Sequence, residues 1–388
     1  MRKPEAACGT SACGTSKCGS SEPLIHISKR VGISREKSWL IRGAALVLAL
    51  VLSGLIIFSI VHLNPLKVYE AMFQGAFGTS RRAWVTIRDA MMMLCIAVGL
   101  APAFKMRFWN IGAEGQILVG GIATAACMIY LGGSLPTPAL LLVMLVVSMV
   151  AGGVWGLIPG VFKARWGTNE TLFTLMMNYV AIQLTSYAVS KWENPAGSNS
   201  VGIINQLTKD GWFPSVFGQA YMLNVIIVLV IAVLMYSYLK YSKQGYEIAV
   251  VGDSENTARY AGINVRKVYI RTMLLSGAIC GVAGFLAVSG SSHTISTSTA
   301  GGRGFTAIIV AWLSKFNTFV MILFSFLLLF LEKGAVEIAS RYNLNNFVSD
   351  IITGILLFCI LGSEFFISYK VSFRRKRGAS CPVGRADA

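Results

Sequence analysis

The stretch "ALLLVMLVVSMVAGGVWGLIPGVF", residues 139–162, holds 24 residues with no charged side chain. About 20 apolar residues cover the hydrocarbon core of a bilayer as a helix, so this run is long enough to cross a membrane. Similar runs lie at 44–61, 90–104, 117–131, 172–189, 223–239, 268–288, 305–313, 316–331 and 348–367. Nine are near spanning length, 90–104 being extended by the adjoining "WVTIRD". Run 305–313 is short enough to be a half-helix or re-entrant segment. The expected fold is all-α: a polytopic integral membrane protein of about ten transmembrane helices with one short or re-entrant segment. Composition agrees, since 55% of the 388 residues are hydrophobic and 13% charged, and mean hydropathy is +0.64.

Charge placement orients the chain. With the N-terminus inside, 25 of the 34 Lys and Arg fall on the inner side and nine on the outer, which fits the positive-inside rule with both termini cytoplasmic. The basic excess is thus membrane topology, and nucleic acid is not an expected partner. The chain divides into a cytoplasmic Cys/Gly/Ser-containing tail (1–42), a membrane domain (43–369) and a basic cytoplasmic tail (370–388). The first tail carries the echo "CGTSACGTSKCGSSE", with Cys8, Cys13 and Cys18. Its composition cannot bury a core, so it reads as disordered; the thiols lack the paired spacing of a zinc site. Cys95, Cys127, Cys280 and Cys359 sit in apolar runs as small buried hydrophobes.

Enzyme chemistry finds no foothold. The phosphate-cradling G-x-x-x-x-G-K-[ST] loop is absent, as is G-x-S-x-G, and His26, His62 and His293 form no metal spacing. No metal or cofactor is expected. Energy for active transport would have to come from another subunit.

The longest internal cytoplasmic segment, 242–267, contains Asp253 or Ser254 as a helix N-cap, a short helix to about Ala261, and Gly262 as a left-handed stop. Asn256 and Arg259 belong to its exposed end, and Ala258 and Ala261 are small enough for close approach. Such a helix is a docking element for a soluble partner or a stiff connector. This segment and the following "SGAICGVAGFLAVSG" (276–290) resemble the cytoplasmic coupling region of permease subunits of bacterial ABC importers. The branch is the nucleoside and simple-sugar one, in the branched-chain amino acid and ribose-type permease superfamily. "NIGAEGQILVGG" (110–121), "GTNETLFTLMMNYVA" (167–181) and "GGRGFTAIIVAWL" (301–313) agree in order. Where the family has a proline near the start of its second helix, this chain has "RDAMMML" (88–94).

The resemblance implies a permease subunit in the bacterial cell membrane. Its partners would be an ATP-binding cassette ATPase docked at Ser254, Asn256, Ala258, Arg259, Ala261 and Gly262, a second permease subunit, and an extracytoplasmic substrate-binding lipoprotein. The solute would be a nucleoside, or alternatively a simple sugar such as ribose. An ion-coupled secondary transporter would need a buried charged constellation, and no dense acidic or basic cluster stands out in any helix.

Intramembrane polar groups are costly, so Glu114 and Glu170 need partners, water or an interface. Counting passes puts Glu114 near the cytoplasmic end of the third, close to Lys105 and Arg107. Glu170, Thr174, Asn178 and Thr185 share one arc of a helix and should face the bundle interior or a pore. Two readings stand: the carboxylates brace irregular helix ends, or Asn110, Glu114, Gln116, Glu170, Thr174, Asn178 and "SGSSHTISTST" (289–299) line a solute path. Trp109, Phe173 and Tyr179 are stacking candidates or packing residues. Met91–Met93 face lipid or fill core. Gly112, Gly115, Gly120, Gly121, Gly277, Gly281 and Gly284 suit close helix crossings.

Overall fold

A computed structural model describes residues 65–342 save 217, the strands 25–29 and 369–373, and isolated positions within 40–58 and 351–365. The helical body contains α1 (Pro65–Phe77), α2 (Ser80–Lys105), α3 (Ala113–Leu131), α4 (Thr137–Trp166), α5 (Glu170–Trp192) and α6 (Met222–Tyr241). Two short helices follow, α7 (Lys243–Asp253) and α8 (Glu255–Tyr260). Next come α9 (Val265–Ala287), which runs into a π-helical turn at Val288–Ser292, then α10 (Arg303–Leu313) and α11 (Thr318–Arg341).

Seven described helices are long and apolar enough to cross a membrane, where the sequence suggested about ten crossings: α2, α3, α4, α5, α6, α9 with its π turn, and α11. α10, with 11 residues, is the short one foreseen. Runs 44–61 and 348–367 fall largely outside the described residues, as do Cys8, Cys13 and Cys18.

The centre of the body is a crossing of α3, α4 and α9. A Cβ added to Gly152 of α4 or to Gly120 of α3 would lie 2.6 Å from the Cα of Gly281 on α9. At that separation only hydrogen fits, so these glycines allow the backbones to touch. α2 lies against α9 and is buried through most of its length, including Met91–Met93, which fill core rather than face lipid. α4 shows the outward face of a membrane helix: Leu142, Val146, Val150 and Val154 recur every fourth residue, each at least half exposed. The π turn is a local widening of the kind that gathers at functional positions.

The terminal segments form a separate unit. Within it, β1 (Ile25–Lys29) pairs antiparallel with β2 (Tyr369–Phe373), Ile25 opposite Phe373 and Lys29 opposite Tyr369. The all-α expectation therefore holds for the helical body and needs this ribbon added. "IHISK" and "YKVSF" carry the β-branched and aromatic residues that suit strands.

Candidate functional site

The turn between α2 and α3 builds the site. After Lys105 the chain reverses through Arg107, whose φ of 59° is left-handed, and buries Phe108 with its ring 5.9 Å from that of Tyr269. It then re-enters the bundle. Asn110 Nδ2 donates to Ser276 Oγ at 3.2 Å, and Ser276 is eleven residues into α9, about 16 Å along a helix rising about 1.5 Å per residue. α3 therefore begins inside the bundle.

A helix start leaves backbone N–H groups without partners, and burial makes that costly. Gly112, at the N-cap of α3, has no side chain to help, so α5 supplies the acceptors. Thr174 Oγ1 accepts from Ile111 N at 3.2 Å and Asn178 Oδ1 from Gly115 N at 2.9 Å, while Asn178 Nδ2 donates to Ile111 O at 2.9 Å. Asn110 Oδ1 accepts from Gly112 N at 3.0 Å and exchanges longer bonds of 3.4 Å with Gln116. Asn110, Gln116, Thr174 and Asn178 are all buried. The arc on α5 thus faces inward as expected, with Thr185 bonded to Ala181 O. Thr174 and Asn178 spend their hydrogen bonds on holding the turn.

Glu114 lies in the first turn of α3, at the end of a span-length helix, and its partners come from another helix. Its carboxylate accepts from Gly302 N at 2.7 Å and from Gly304 N at 2.9 Å, capping the start of α10 from another helix. A negative charge there also meets the positive end of that helix's dipole. Two helices that start within the bundle, α3 and α10, are thereby joined by one side chain. Glu170 pairs instead with Lys163 Nζ at 2.8 Å.

The serine-rich stretch also spends its hydroxyls locally. Ser289 Oγ bonds to Gly211 O, Ser292 Oγ contacts Ala287 O and Thr294 O, and Ser296, Ser298 and Thr299 bond among themselves. His293 lies flat on Trp212, ring centres 3.7 Å apart, and the backbone N–H of Ile204 donates to its carbonyl at 2.9 Å. Trp109 stacks on Trp312 at 5.2 Å and Phe173 packs on Phe162 at 4.7 Å, while Tyr179 stays exposed. On the outward side of α5, Asn169, Leu172, Phe173, Met176, Met177 and Val180 line an apolar groove of about 410 Å³.

One assembly escaped the sequence. Asp89 on α2 is buried, and Arg88, Arg303 of α10 and Lys333 of α11 all converge on it, at 2.8, 3.6 and 2.8 Å. The chain therefore does hold a charged cluster. It was invisible because Arg88 and Asp89 lie far along the chain from Arg303 and Lys333; the one local sign was the lone acid of "RDAMMML".

At the far end of α9, Ser254 caps α8 as read, its Oγ accepting from Thr257 N at 3.3 Å, and Gly262 has φ 76°. Asn256, Arg259, Tyr260, Ala261 and Gly262 are exposed, Tyr260 almost wholly at 93%. Ala258 is a correction: it is buried in a cluster with Phe108, Ile248, Val268 and Tyr269, and anchors the helix instead of contacting a partner. Tyr269 Oη donates to Glu255 Oε1 at 2.6 Å and Arg271 Nη2 to Glu247 Oε2 at 2.9 Å, fixing α8 and α7 to α9. Gly252 touches Lys105 O, which links this loop to the turn carrying Asn110.

A family model described as the permease component of branched-chain amino acid transport systems matches residues 84–361. The guanosine ABC transporter permease NupP of Bacillus subtilis (strain 168) is 30% identical over 90% of this chain and 100% of its own length. The glucose ABC transporter permease TsgB13 of Haloferax volcanii is 27% identical over 89% of this chain and 94% of its own. The nucleoside ABC transporter permease NupB of Lactococcus lactis subsp. cremoris is 30% identical over 73% and 80%. With the match running from α2 through α11, the seven span-length helices and the capped loop beneath them, this chain belongs to that family of ABC-transporter permeases.

Proposed function

We propose that the chain is the nucleoside-conducting permease of an ATP-driven importer, about ten helices in the bacterial cell membrane, with both termini and the loop bearing α7 and α8 in the cytoplasm. The observation that carries the coupling half of this reading is the capped helix α8. It presents Asn256, Arg259, Tyr260 and Ala261 outward from a base fastened by Glu255–Tyr269 and Glu247–Arg271. A rigid, exposed knob on a fixed base transmits a push, whereas a loose loop would absorb it.

An ATPase seated on α8 moves α7 and α9 together. Through the Gly252–Lys105 contact the displacement reaches the 106–112 turn, and through Glu114 it reaches the start of α10. Alternation between two accessible states follows if ATP favours one arrangement of these linked helix starts. A second permease subunit would complete the path, and a lipoprotein would deliver the solute from outside. Support for the nucleoside comes from the relatives NupP and NupB; TsgB13 keeps a simple sugar as the alternative. The ribbon that joins β1 to β2 supports termini on one side of the membrane.

The test is uptake by the assembled importer of labelled nucleosides against labelled ribose and glucose, with ATP inside or outside the vesicles. Accumulation of a nucleoside that needs ATP on the α8 side supports the proposal. Sugar uptake alone would overturn the substrate, and ATP acting from the opposite side would overturn the orientation.

A further inference from the structure

The cluster around Asp89 is used neither by the turn at Asn110 nor by the coupling helix. Asp89 Oδ1 accepts from Arg88 Nε at 2.9 Å and Nη2 at 2.8 Å, and Oδ2 meets Lys333 Nζ at 2.8 Å. Arg88 also lies over the ring of Tyr221 at 4.8 Å, so it is well matched. Glu332 is the other carboxylate within electrostatic reach of Arg303 and Lys333. Among the described residues, three cations therefore share two carboxylates.

Arg303 is the one left short. Its Asp89 contact, at 3.6 Å, is an ion pair beyond hydrogen-bond range. Among the described residues the one hydrogen-bond acceptor of its guanidinium is the thioether of Met92, 3.0 Å from Nη1. A guanidinium carries five N–H donors and a thioether is a weak acceptor, so most of this capacity is open. The side chain keeps 23% of its surface exposed, and the residues flanking it, Gly302 and Gly304, are pinned by Glu114. An ionised side chain in a membrane bundle is costly unless it is paired or lines a solute path.

We infer that Arg303 is a specificity-determining residue of the solute path and that its open guanidinium edge takes the paired acceptors of a 6-oxopurine nucleoside. The planar fork matches two adjacent coplanar acceptors, here the C6 carbonyl oxygen and N7. A 6-aminopurine sets a donor against the same fork, and a sugar hydroxyl offers no fixed coplanar pair. This rests on the nucleoside reading and adds which nucleoside.

Inosine and adenosine, which differ at C6, are the probes. Uptake of each is measured in proteoliposomes holding the complete importer, and the affinity of the isolated lipoprotein for each is measured separately, so that its selectivity is divided out. Wild type then favours inosine by about tenfold, the size of one good bidentate contact. Arg303→Gln removes that preference, and Arg303→Lys, which keeps the charge without the fork, removes most of it, while the ATPase still co-purifies. Equal loss for both nucleosides, or an unchanged ratio in either variant, would overturn the inference. If wild type carries ribose and no nucleoside, the substrate reading itself fails and the inference with it; an intact wild-type preference that survives Arg303→Gln sinks the inference alone.

Discussion

Replacing Glu114 by alanine should release the start of α10 while leaving the rest of the bundle in place. Its carboxylate makes two bonds to backbone amides, at 2.7 and 2.9 Å, from a side chain that is 8% exposed. Hydrogen bonds to a charged group contribute about 1.5–3 kcal/mol each, so losing both costs the local structure about 3–6 kcal/mol. A factor of ten accompanies each 1.4 kcal/mol, so opening of this segment should become about a hundredfold to ten-thousandfold more frequent. Hydrogen exchange of the peptide covering Gly302–Phe305 reads that change directly. Glu114→Gln keeps one carbonyl acceptor and turns an NH2 towards the other amide, so its exchange should lie between wild type and Glu114→Ala. Amides of α8 should exchange as in wild type in both variants. Unchanged protection at Gly302 and Gly304 in Glu114→Ala would refute the bracing role and return Glu114 to the solute path.

Other perturbations test other parts of the account. Gly152→Val places a branched side chain where even a Cβ comes within 2.6 Å of Gly281 Cα, and should abolish a monodisperse peak in size-exclusion chromatography; a normal peak would mean that α4 and α9 can separate cheaply. Arg259→Glu, on an exposed residue, should leave the chain folded and inserted while ATPase co-purification falls at least tenfold; Gly262→Val should do the same, with about 1–3 kcal/mol of strain from its left-handed φ. Burial lowers the proton affinity of His293, reinforced by Arg88 and partly offset by a hydrogen bond to the Ser289 backbone. The unfolded chain then binds that proton more readily, so stability should fall as pH drops below about 6.5, and His293→Gln should flatten thermal stability between pH 7 and 5.

The helices were legible because their signals are local. Run 139–162 became Thr137–Trp166 and run 223–239 became Met222–Tyr241, with ends one to four residues from the hydropathy limits. Ser254 and Gly262 were readable for the same reason, since a cap and a left-handed stop depend on their own neighbours. Partners across the bundle were not. Nothing near residue 114 announces that its carboxylate closes on amides 188 and 190 positions away, or that Arg88, Arg303 and Lys333 meet at Asp89. The strand pair joins residues more than 300 apart and is equally silent. Asn110, Thr174 and Asn178 illustrate a related limit: composition marks them as polar groups inside a membrane domain, but only geometry reveals that their bonds are spent on the start of α3.

The central claim is that this chain conducts solute under the control of a separate ATPase. Its most direct test is nucleoside uptake into proteoliposomes containing the chain and its second permease, with and without the ATPase, under ATP and under imposed proton or sodium gradients. The account predicts accumulation only when ATPase and ATP are both present, and loss of that accumulation in Arg259→Glu. Accumulation driven by an ion gradient in vesicles lacking the ATPase would contradict it.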